Sequence, residues 1–336
     1  MSGGTGPYRM GHVRVGDDEL YEEVEGAGEP VLLLHGGFCS LESLRIPGEA
    51  LAVDHRVHAF ERPGHGRSAD HDELFTYERS LAETVGYLDA VGLGSVHVVG
   101  YSDGGIIGLL LAMRHPERVR SLVAISANLD PSAFTDGAEA AGEPVLTGEP
   151  RARHIECGTG AADRSGADDE RAHYDRLSPD GAGHADVVLE KLVRMWTSEP
   201  HIDPAELAVI GAPTLVVSGD RDAIRPGHSL RIAAAIPGAQ LCIVPGTTHA
   251  LVAERPRLVG ALVRDFVAAV ERDEATVGGA VVERDEATPH DAAVERDEAT
   301  VGGAVVERDE ATPHEVAVER QRAAEPDAAR EADTRP

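Results

Sequence analysis

The sequence has few cysteines and no long apolar run. Cys39, Cys157 and Cys242 are far apart and odd in number. This pattern argues against a disulfide framework or a zinc knuckle and predicts reduced thiols in the cytoplasm. We interpret Cys39 as a small packing residue, with a reactive thiol as the alternative. No stretch approaches the roughly 18 apolar residues of a membrane span, and no secretory signal pattern is visible at the N-terminus.

Basic charge is also scarce. Lys191 is the only lysine, and Lys+Arg number 31 against 59 Asp+Glu, for a formal net charge of −28. Nucleic-acid phosphate binds to basic faces, so we exclude a nucleic-acid partner. A phosphate-binding loop of the G-x-x-x-x-G-K type is missing. His55 and His58 lie in a predicted strand with their side chains on opposite faces, which spoils joint metal coordination. We therefore expect no cofactor and no metal.

The C-terminal part of the chain is a repeat. The sequence ERDEAT occurs four times and a divergent copy, ERQRAA, follows, with first residues Glu271, Glu283, Glu295, Glu307 and Glu319. The copies contain no aromatic residue, Leu or Ile, so they cannot bury enough apolar surface to offset the entropy of ordering. We predict that residues 271–336 form an acidic, mostly disordered tail. A docking or solubilising segment and a repeat expansion without a specific role are both open interpretations.

Strand and helix patterns alternate through residues 1–270. Alternating polar and apolar residues predict an opening hairpin at 11–15 and 19–25. Continuous apolar runs, typical of strands buried on both faces, follow at 31–34, 56–60, 96–99, 122–125, 214–217 and 241–244. Helical patterns occur at 41–53, 76–92, 103–115, 228–236 and 255–270. This alternation predicts an α/β fold whose mostly parallel central sheet is covered by helices on both sides.

The alternation is interrupted once, between residues 129 and 209. No core-type strand is visible there, and the second half contains an amphipathic stretch around Val188, Leu192 and Trp196. An insertion at this point lies over the carboxyl ends of the strands, where α/β proteins bind ligands. We predict a helical cap at 129–209 that divides the core into residues 1–128 and 210–270. An inert helical excursion is the alternative.

The sequence Gly-Tyr-Ser-Asp-Gly at residues 100–104 joins a predicted strand to a predicted helix. A sharp strand-to-helix turn exposes a serine hydroxyl, and glycine two residues to either side removes Cβ atoms that would collide. Gly100 and Gly104 flank Ser102 symmetrically, which predicts Ser102 as the nucleophile. Asp103 would then offer its backbone N–H to a developing oxyanion. Epoxide hydrolases and haloalkane dehalogenases place aspartate at the apex of this turn, so those chemistries are disfavoured.

A glycine-rich loop, His35-Gly36-Gly37-Phe38, directly follows the predicted strand at 31–34. A loop at this place aims a backbone N–H at the same point as the N–H of Asp103, and together they form an oxyanion hole. Gly37 is the first choice for this second donor and Phe38 the next. An ordinary glycine turn is the alternative.

An acid and a histidine follow the predicted nucleophile along the chain. Asp220 and Asp222 come after the predicted strand at 214–217, and His249 comes after the last strand. Serine, acid, histidine is the chain order of α/β-hydrolases. His249 would take the proton of Ser102, and the carboxylate would orient the imidazole and stabilise its charged form. These residues by themselves leave both aspartates open for the acid role.

Five motifs together resemble the α/β-hydrolase fold family. They are HGGF at 35–38, ERPGHGRS at 61–68, GYSDGG at 100–105, GDRDAIRP at 219–226 and GTTHA at 246–250. The resemblance covers roughly residues 12–270 and implies the fold, the triad and Asp222, rather than Asp220, as its acid. GYSDGG is also similar to the biphenyl hydrolase-like enzymes that cleave amino-acid esters. That similarity implies attraction of cationic substrates by Asp103, whose side chain could otherwise cap the helix.

The sequence therefore predicts a cytoplasmic serine hydrolase of small carboxylic esters, lactones or related acyl compounds. Its predicted catalytic and oxyanion-binding residues are Ser102, Asp222, His249, Gly37, Asp103 and Phe38. The expected partner is a small acyl substrate, without nucleic acid or membrane, and the oligomeric state is not predicted. The alternatives are a carbon–carbon bond hydrolase or perhydrolase with the same triad, and a non-catalytic binding protein on this scaffold. Activity should rise between pH 5 and 8, because only neutral imidazole acts as a base.

Overall fold

The computed structural model describes residues 7–134 and 164–285. Eight strands form one sheet in the order β1-β2-β4-β3-β5-β6-β7-β8. β1 and β2 pair antiparallel, as do β2 and β4, and every other neighbouring pair is parallel. The strands are β1 Arg9–Val15, β2 Asp18–Gly26, β3 Pro30–Leu34, β4 Arg56–Phe60, β5 Val96–Tyr101, β6 Val119–Ile125, β7 Thr214–Gly219 and β8 Gln240–Val244. The predicted strands and the mostly parallel sheet are confirmed.

Helices cover both faces of the sheet. They are α1 Arg45–Leu51, α2 Tyr77–Ala90, α3 Asp103–Arg114, α4 Arg164–Leu177, α5 Ala185–Ser198, α6 Pro226–Ala235, α7 Leu251–Glu254 and α8 Pro256–Asp285. Side chains of β3 alternate between two apolar clusters: Leu32 joins residues of α2, α3 and α6, whereas Leu33 joins residues of α1 and α8. A strand buried on both faces needs this continuous apolar run. None of these described helices is long and apolar enough to cross a membrane.

Two helices, α4 and α5, lie within the predicted cap at 129–209. The amphipathic stretch forms α5, with Val188, Leu192 and Met195 buried on one face and Val187 and Val193 exposed on the other. This alternation of buried and exposed positions fits the helical period of 3.6 residues, which is the reason the sequence pattern indicated a helix. The part of the predicted cap at residues 135–163 lies outside the described residues.

The final helix does not end at residue 270, where the sequence analysis placed the end of the core. Instead α8 continues through the first repeat copy to Asp285. The carboxylate of Glu271 lies 3.3 Å from Nε2 of His55 and 3.7 Å from Nε2 of His97. Glu274 pairs with Arg120 at 2.6 Å. The first copy thus continues the helix with Glu271 and Glu274 lying against residues of the core, whereas the predicted tail beyond residue 285 lies outside the described residues.

One cysteine differs from its predicted state. Cys39 is disulfide-bonded, and Cys242 is a free thiol. The prediction of a reduced thiol is therefore wrong for Cys39. Disulfide pairing depends on the distance between two Cα atoms in the folded chain, which the separation of cysteines along the sequence does not reveal.

Candidate active site

Ser102 lies at the sharp turn between β5 and α3. Its φ of 53° and ψ of −118° lie in a strained region that only a constrained turn imposes on a residue other than glycine. A Cβ on Gly100 would lie 2.1 Å from the carbonyl oxygen of Gly104. One on Gly104 would lie 2.0 Å from the carbonyl oxygen of Leu34. Because backbone atoms leave no room for either Cβ, glycine is required on both sides of the serine.

The loops after three strands bring Ser102, His249 and Asp222 into one hydrogen-bonded line. Nε2 of His249 lies 3.0 Å from Oγ of Ser102, and Nδ1 lies 2.7 Å from Oδ1 of Asp222. The imidazole is 4% exposed and the aspartate 2%. With the proton on Nδ1 bound to the carboxylate, Nε2 is free to accept the proton of the serine hydroxyl. This arrangement can activate Ser102 as a nucleophile.

Asp222 is held by hydrogen bonds that sequence reasoning did not find. Ser126, which follows β6, donates its hydroxyl to Oδ2 at 2.5 Å, and the N–H of Ile224 donates to Oδ1 at 3.0 Å. A longer bond of 3.4 Å comes from the N–H of Gly219. Burial raises the pKa of Asp222, but the charge of His249 and these hydrogen bonds outweigh burial and lower that pKa. The carboxylate therefore stays ionised while it orients the histidine.

Asp220 has a different position from Asp222. Its Oδ1 accepts the N–H groups of Gly246, at 2.7 Å, and Thr247, at 3.2 Å. These bonds fix the turn that carries His249. The turn is held a second time by the hydroxyl of Tyr101, which donates to the carbonyl oxygen of His249 at 2.9 Å. Thus Asp220 supports the histidine loop, and Asp222 contacts the imidazole.

The glycine-rich loop after β3 is fixed by His35 and Arg62. The backbone N–H of Arg62 donates to Nε2 of His35 at 3.0 Å, so the ring proton lies on Nδ1, 2.7 Å from the carbonyl oxygen of Gly36. The guanidinium of Arg62 donates to the same carbonyl at 3.0 Å. Burial and the charge of Arg62 hold the pKa of His35 well below its usual value. A neutral imidazole suits this double role as acceptor and donor.

Gly36 brings this loop against the nucleophile, since a Cβ on Gly36 would lie 3.2 Å from Cβ of Ser102. Gly37 and Phe38 follow, and Phe38 has a positive φ of 52°. The phenyl ring of Phe38 is stacked on Tyr174 of α4, with centroids 5.4 Å apart. Gly37 lies next to Asp103, since a Cβ on Gly37 would lie 2.4 Å from Oδ2 of Asp103, and the role of Gly37, Phe38 and Asp103 as oxyanion donors stays a prediction.

The side chain of Asp103 is engaged within the protein. Its Oδ1 accepts the hydroxyl of Tyr77 at 2.8 Å and Nε1–H of Trp196 at 3.0 Å, and Oδ2 lies 3.7 Å from the guanidinium of Arg62. Asp103 is 2% exposed, and α3 has no side-chain hydrogen bond at its N-cap residue, Ser102. The expectation that Asp103 attracts cationic substrates finds no support in this arrangement, because protein groups already compensate its charge.

A second contact joins helix α5 to the rest of the described chain. Nζ of Lys191 lies 2.8 and 2.9 Å from the two carboxylate oxygens of Asp70, and it also donates to the carbonyl oxygen of His71. His184 binds the same carboxylate at 2.8 Å. Sequence reasoning missed this anchor and the roles of Arg62, Tyr77 and Ser126. The sequence signals were only that Lys191 and Trp196 are each unique in the chain.

Comparisons with known proteins agree with this architecture. Residues 29–148 match the family model described as alpha/beta hydrolase fold. The chain is 30% identical to rhodomycin D methylesterase DauP of Streptomyces sp. (strain C5), over 70% of this chain and 90% of that protein. It is 32% identical to 2-hydroxy-6-oxo-2,4-heptadienoate hydrolase of Pseudomonas putida, over 73% of this chain and 91% of that protein. A solved serine hydrolase involved in carbazole degradation (CarC enzyme) superposes with a TM-score of 0.63 at 23% identity, covering 78% of this chain and 100% of that one.

Proposed function

The chain belongs to the α/β-hydrolase fold family, and from that premise we propose that it is a serine hydrolase of small carboxylic esters, lactones or related acyl compounds. The observation that carries the proposal is the continuous line of hydrogen bonds from Ser102 through His249 to Asp222, at 3.0 and 2.7 Å. The similarity to a methylesterase supports an ester as the substrate. The catalytic residues are Ser102, His249 and Asp222.

In the first half-reaction Oγ of Ser102 attacks the acyl carbon, and its proton passes to Nε2 of His249. The imidazolium that forms is stabilised by the ionised Asp222, and its proton then goes to the leaving alcohol oxygen. Negative charge on the former carbonyl oxygen is bound by backbone N–H groups of Asp103 and Gly37, with Phe38 as the alternative to Gly37. Removing one such donor typically costs about 3–4 kcal/mol of barrier.

The second half-reaction releases the acyl group. Water loses a proton to Nε2 of His249 as its oxygen attacks the acyl-enzyme, and the proton returns to Oγ of Ser102 when the ester bond breaks. The cycle consumes one water and balances without an added cofactor. The partner it requires is a small acyl substrate.

Hydrolysis of a carbon–carbon bond is a second candidate, supported by the 32% identity to 2-hydroxy-6-oxo-2,4-heptadienoate hydrolase. The same three residues would serve it, since His249 can move a proton to carbon as it does to oxygen. The perhydrolase and the non-catalytic binding protein have no observation in their favour. The two candidates differ in the substrate that the pocket accepts, and a substrate panel distinguishes them.

The test is hydrolysis of a panel of p-nitrophenyl esters, amino-acid esters and lactones by the wild type and by Ser102→Ala. We expect ester turnover that falls at least 1,000-fold in the variant, because the nucleophile is lost. Neutral esters should be cleaved at least as well as cationic amino-acid esters, since Arg62 and its neighbours compensate Asp103. Equal turnover by wild type and Ser102→Ala would refute the assignment. Cleavage of a vinylogous diketone without ester cleavage would favour the second candidate.

A further inference from the structure

We propose that Trp196 of the cap helix α5 is a positioning residue for the oxyanion hole. Its indole binds the side chain of Asp103 and packs against Gly37, and so it holds the two backbone segments that offer N–H donors to the substrate oxygen. The inference rests on the proposed function, because it assigns a role in the same acyl-transfer site. We call Arg62, Tyr77, Asp103 and Trp196 the Asp103 cluster.

Trp196 contacts both sides of the hole. Nε1–H lies 3.0 Å from Oδ1 and 3.2 Å from Oδ2 of Asp103, so the indole reaches the residue directly after the nucleophile. A Cβ placed on Gly37 would lie 2.5 Å from Cζ2 of the indole and 2.4 Å from Oδ2 of Asp103. The indole and the carboxylate thus fill the space above Gly37, and the loop after β3 cannot move toward them.

The charges of the cluster explain why a carboxylate is tolerated here. A carboxylate one residue from Ser102 would repel the negative charge that develops on the substrate oxygen. The guanidinium of Arg62, 3.7 Å from Oδ2, and the donors of Tyr77 and Trp196 offset part of the cost of burying this carboxyl group, although burial still raises the pKa of Asp103. Because Asp103 is 2% exposed, solvent does not replace a lost partner easily. Loss of the Trp196 indole would therefore change the electrostatic field of Asp103 at the substrate oxygen and the position of the backbone N–H of Asp103.

If the cap only enclosed the substrate, substitutions in α5 would change the kinetics differently from the loss of an oxyanion-positioning contact. The same helix carries Lys191, which anchors the cap to Asp70 and not to the oxyanion loop. Loosening the cap at Lys191 should weaken substrate binding and raise KM. A change at Trp196 should instead lower kcat, since the oxyanion hole acts on the transition state. Lys191→Met is thus a matched control on the same helix.

The experiment compares the wild type with Trp196→Phe, Lys191→Met and Thr197→Ala. Phenylalanine keeps an aromatic ring and removes the N–H donor. Thr197 is exposed, and its hydroxyl bonds carbonyls of its own helix, with no other partner in the described part of the chain. We expect Trp196→Phe to lower kcat on the best ester about tenfold with KM changed less than twofold. Lys191→Met should mainly raise KM, and Thr197→Ala should match the wild type.

Binding of phenylboronic acid gives a readout that does not depend on the natural substrate. Oγ of Ser102 forms a bond to boron and its proton moves to Nε2 of His249, leaving a tetrahedral anion with a boron-bound oxygen in the oxyanion hole. By calorimetry we expect Kd to rise about tenfold in Trp196→Phe and to stay within twofold in Lys191→Met. Equal effects of the two substitutions, or none from Trp196→Phe in a variant that keeps its thermal stability, would overturn the proposal.

The outcomes separate this proposal from the proposed function. If the wild type cleaves no ester, the proposed function fails, while boronic acid binding still tests the role of Trp196. If esters are cleaved and Trp196→Phe has wild-type kcat and boronic acid affinity, only the positioning role fails. Trp196 is the single tryptophan of the sequence, so tryptophan fluorescence reports on its contact with Asp103. Asp103→Asn keeps a hydrogen-bond acceptor and removes the charge. The emission wavelength should therefore shift in Asp103→Asn and stay unchanged in Thr197→Ala.

Discussion

Replacing Ser126 with alanine should lower activity, although this residue does not contact the substrate in the proposed mechanism. Its hydroxyl donates to Oδ2 of Asp222 at 2.5 Å, and without it the one remaining bond to Oδ2 from the described residues is the 3.4 Å bond from the N–H of Gly219. Asp222 is 2% exposed, so water cannot readily take the place of the lost donor. Loss of this donor removes one of the interactions that lower the pKa of Asp222, and a carboxylate that turns away from His249 no longer stabilises the charged imidazole.

The size of the effect follows from the charge on the acceptor. A hydrogen bond to a charged group contributes about 1.5–3 kcal/mol. If the transition state loses all of it, kcat/KM falls about 10- to 150-fold, since each 1.36 kcal/mol is tenfold in rate.

Ser218→Ala is the matched control. Ser218 is buried in the neighbouring strand β7, and among the described residues its hydroxyl has no hydrogen-bond partner. The same atom is removed in both variants, so their difference isolates the bond to Asp222. We expect Ser218→Ala to keep kcat/KM within about twofold of the wild type, as for the loss of a group that makes no bond. The reasoning is refuted if hydrolysis assays from pH 5 to 9 give both variants the same kcat/KM.

Two further predictions concern stability. A chain that ends after residue 285 should melt at the wild-type temperature and keep its turnover. A chain that ends after residue 270 should melt a few degrees lower, because it loses the contacts of Glu271 with His55 and His97 and of Glu274 with Arg120. Equal melting temperatures of the two truncated chains would show that the first repeat copy does not stabilise the core. Stability should also fall between pH 7 and pH 5. Burial lowers the pKa of several histidines from the ordinary value near 6.5, among them His65, to about 3, and His58, His97 and His228, to about 4. Between about pH 4 and 6.5 these histidines bind more protons in the unfolded chain than in the folded one, whereas Glu61 and Glu83, whose pKa values burial raises to about 7, act in the opposite direction. Because the histidines outnumber these two carboxyl groups, we expect the net loss of stability, and a urea midpoint that is the same at pH 5 and 7 would contradict this.

The elbow around Ser102 was predictable because its constraints are local. The serine, its two glycines and the flanking apolar runs are consecutive in the chain, and the strand-to-helix turn needs these residues at these spacings. The sheet was predictable for the same reason, since strands buried on both faces require continuous apolar runs. The structure brings the predicted Ser102, Asp222 and His249 together.

Contacts between distant segments were not predictable in this way. Asp220 and Asp222 both follow β7, and only the path of the turn directs one to the loop at Gly246 and the other to His249. From the sequence we predicted that the side chain of Asp103 either attracts a cationic substrate or caps the helix N-terminus. In the fold its partners come from a loop, from α2 and from α5.

The first repeat copy was also not predictable from local sequence. Composition indicated a tail from residue 271, yet the first copy continues α8, and its Glu271 and Glu274 lie against residues of the core. By itself, the sequence determined the strands, the serine elbow and the residues available for the triad, because periodicity and turn geometry act between near neighbours. Only the tertiary structure decided which partner each carboxylate has and where the final helix ends. Those choices depend on the packing of residues that are far apart in the chain.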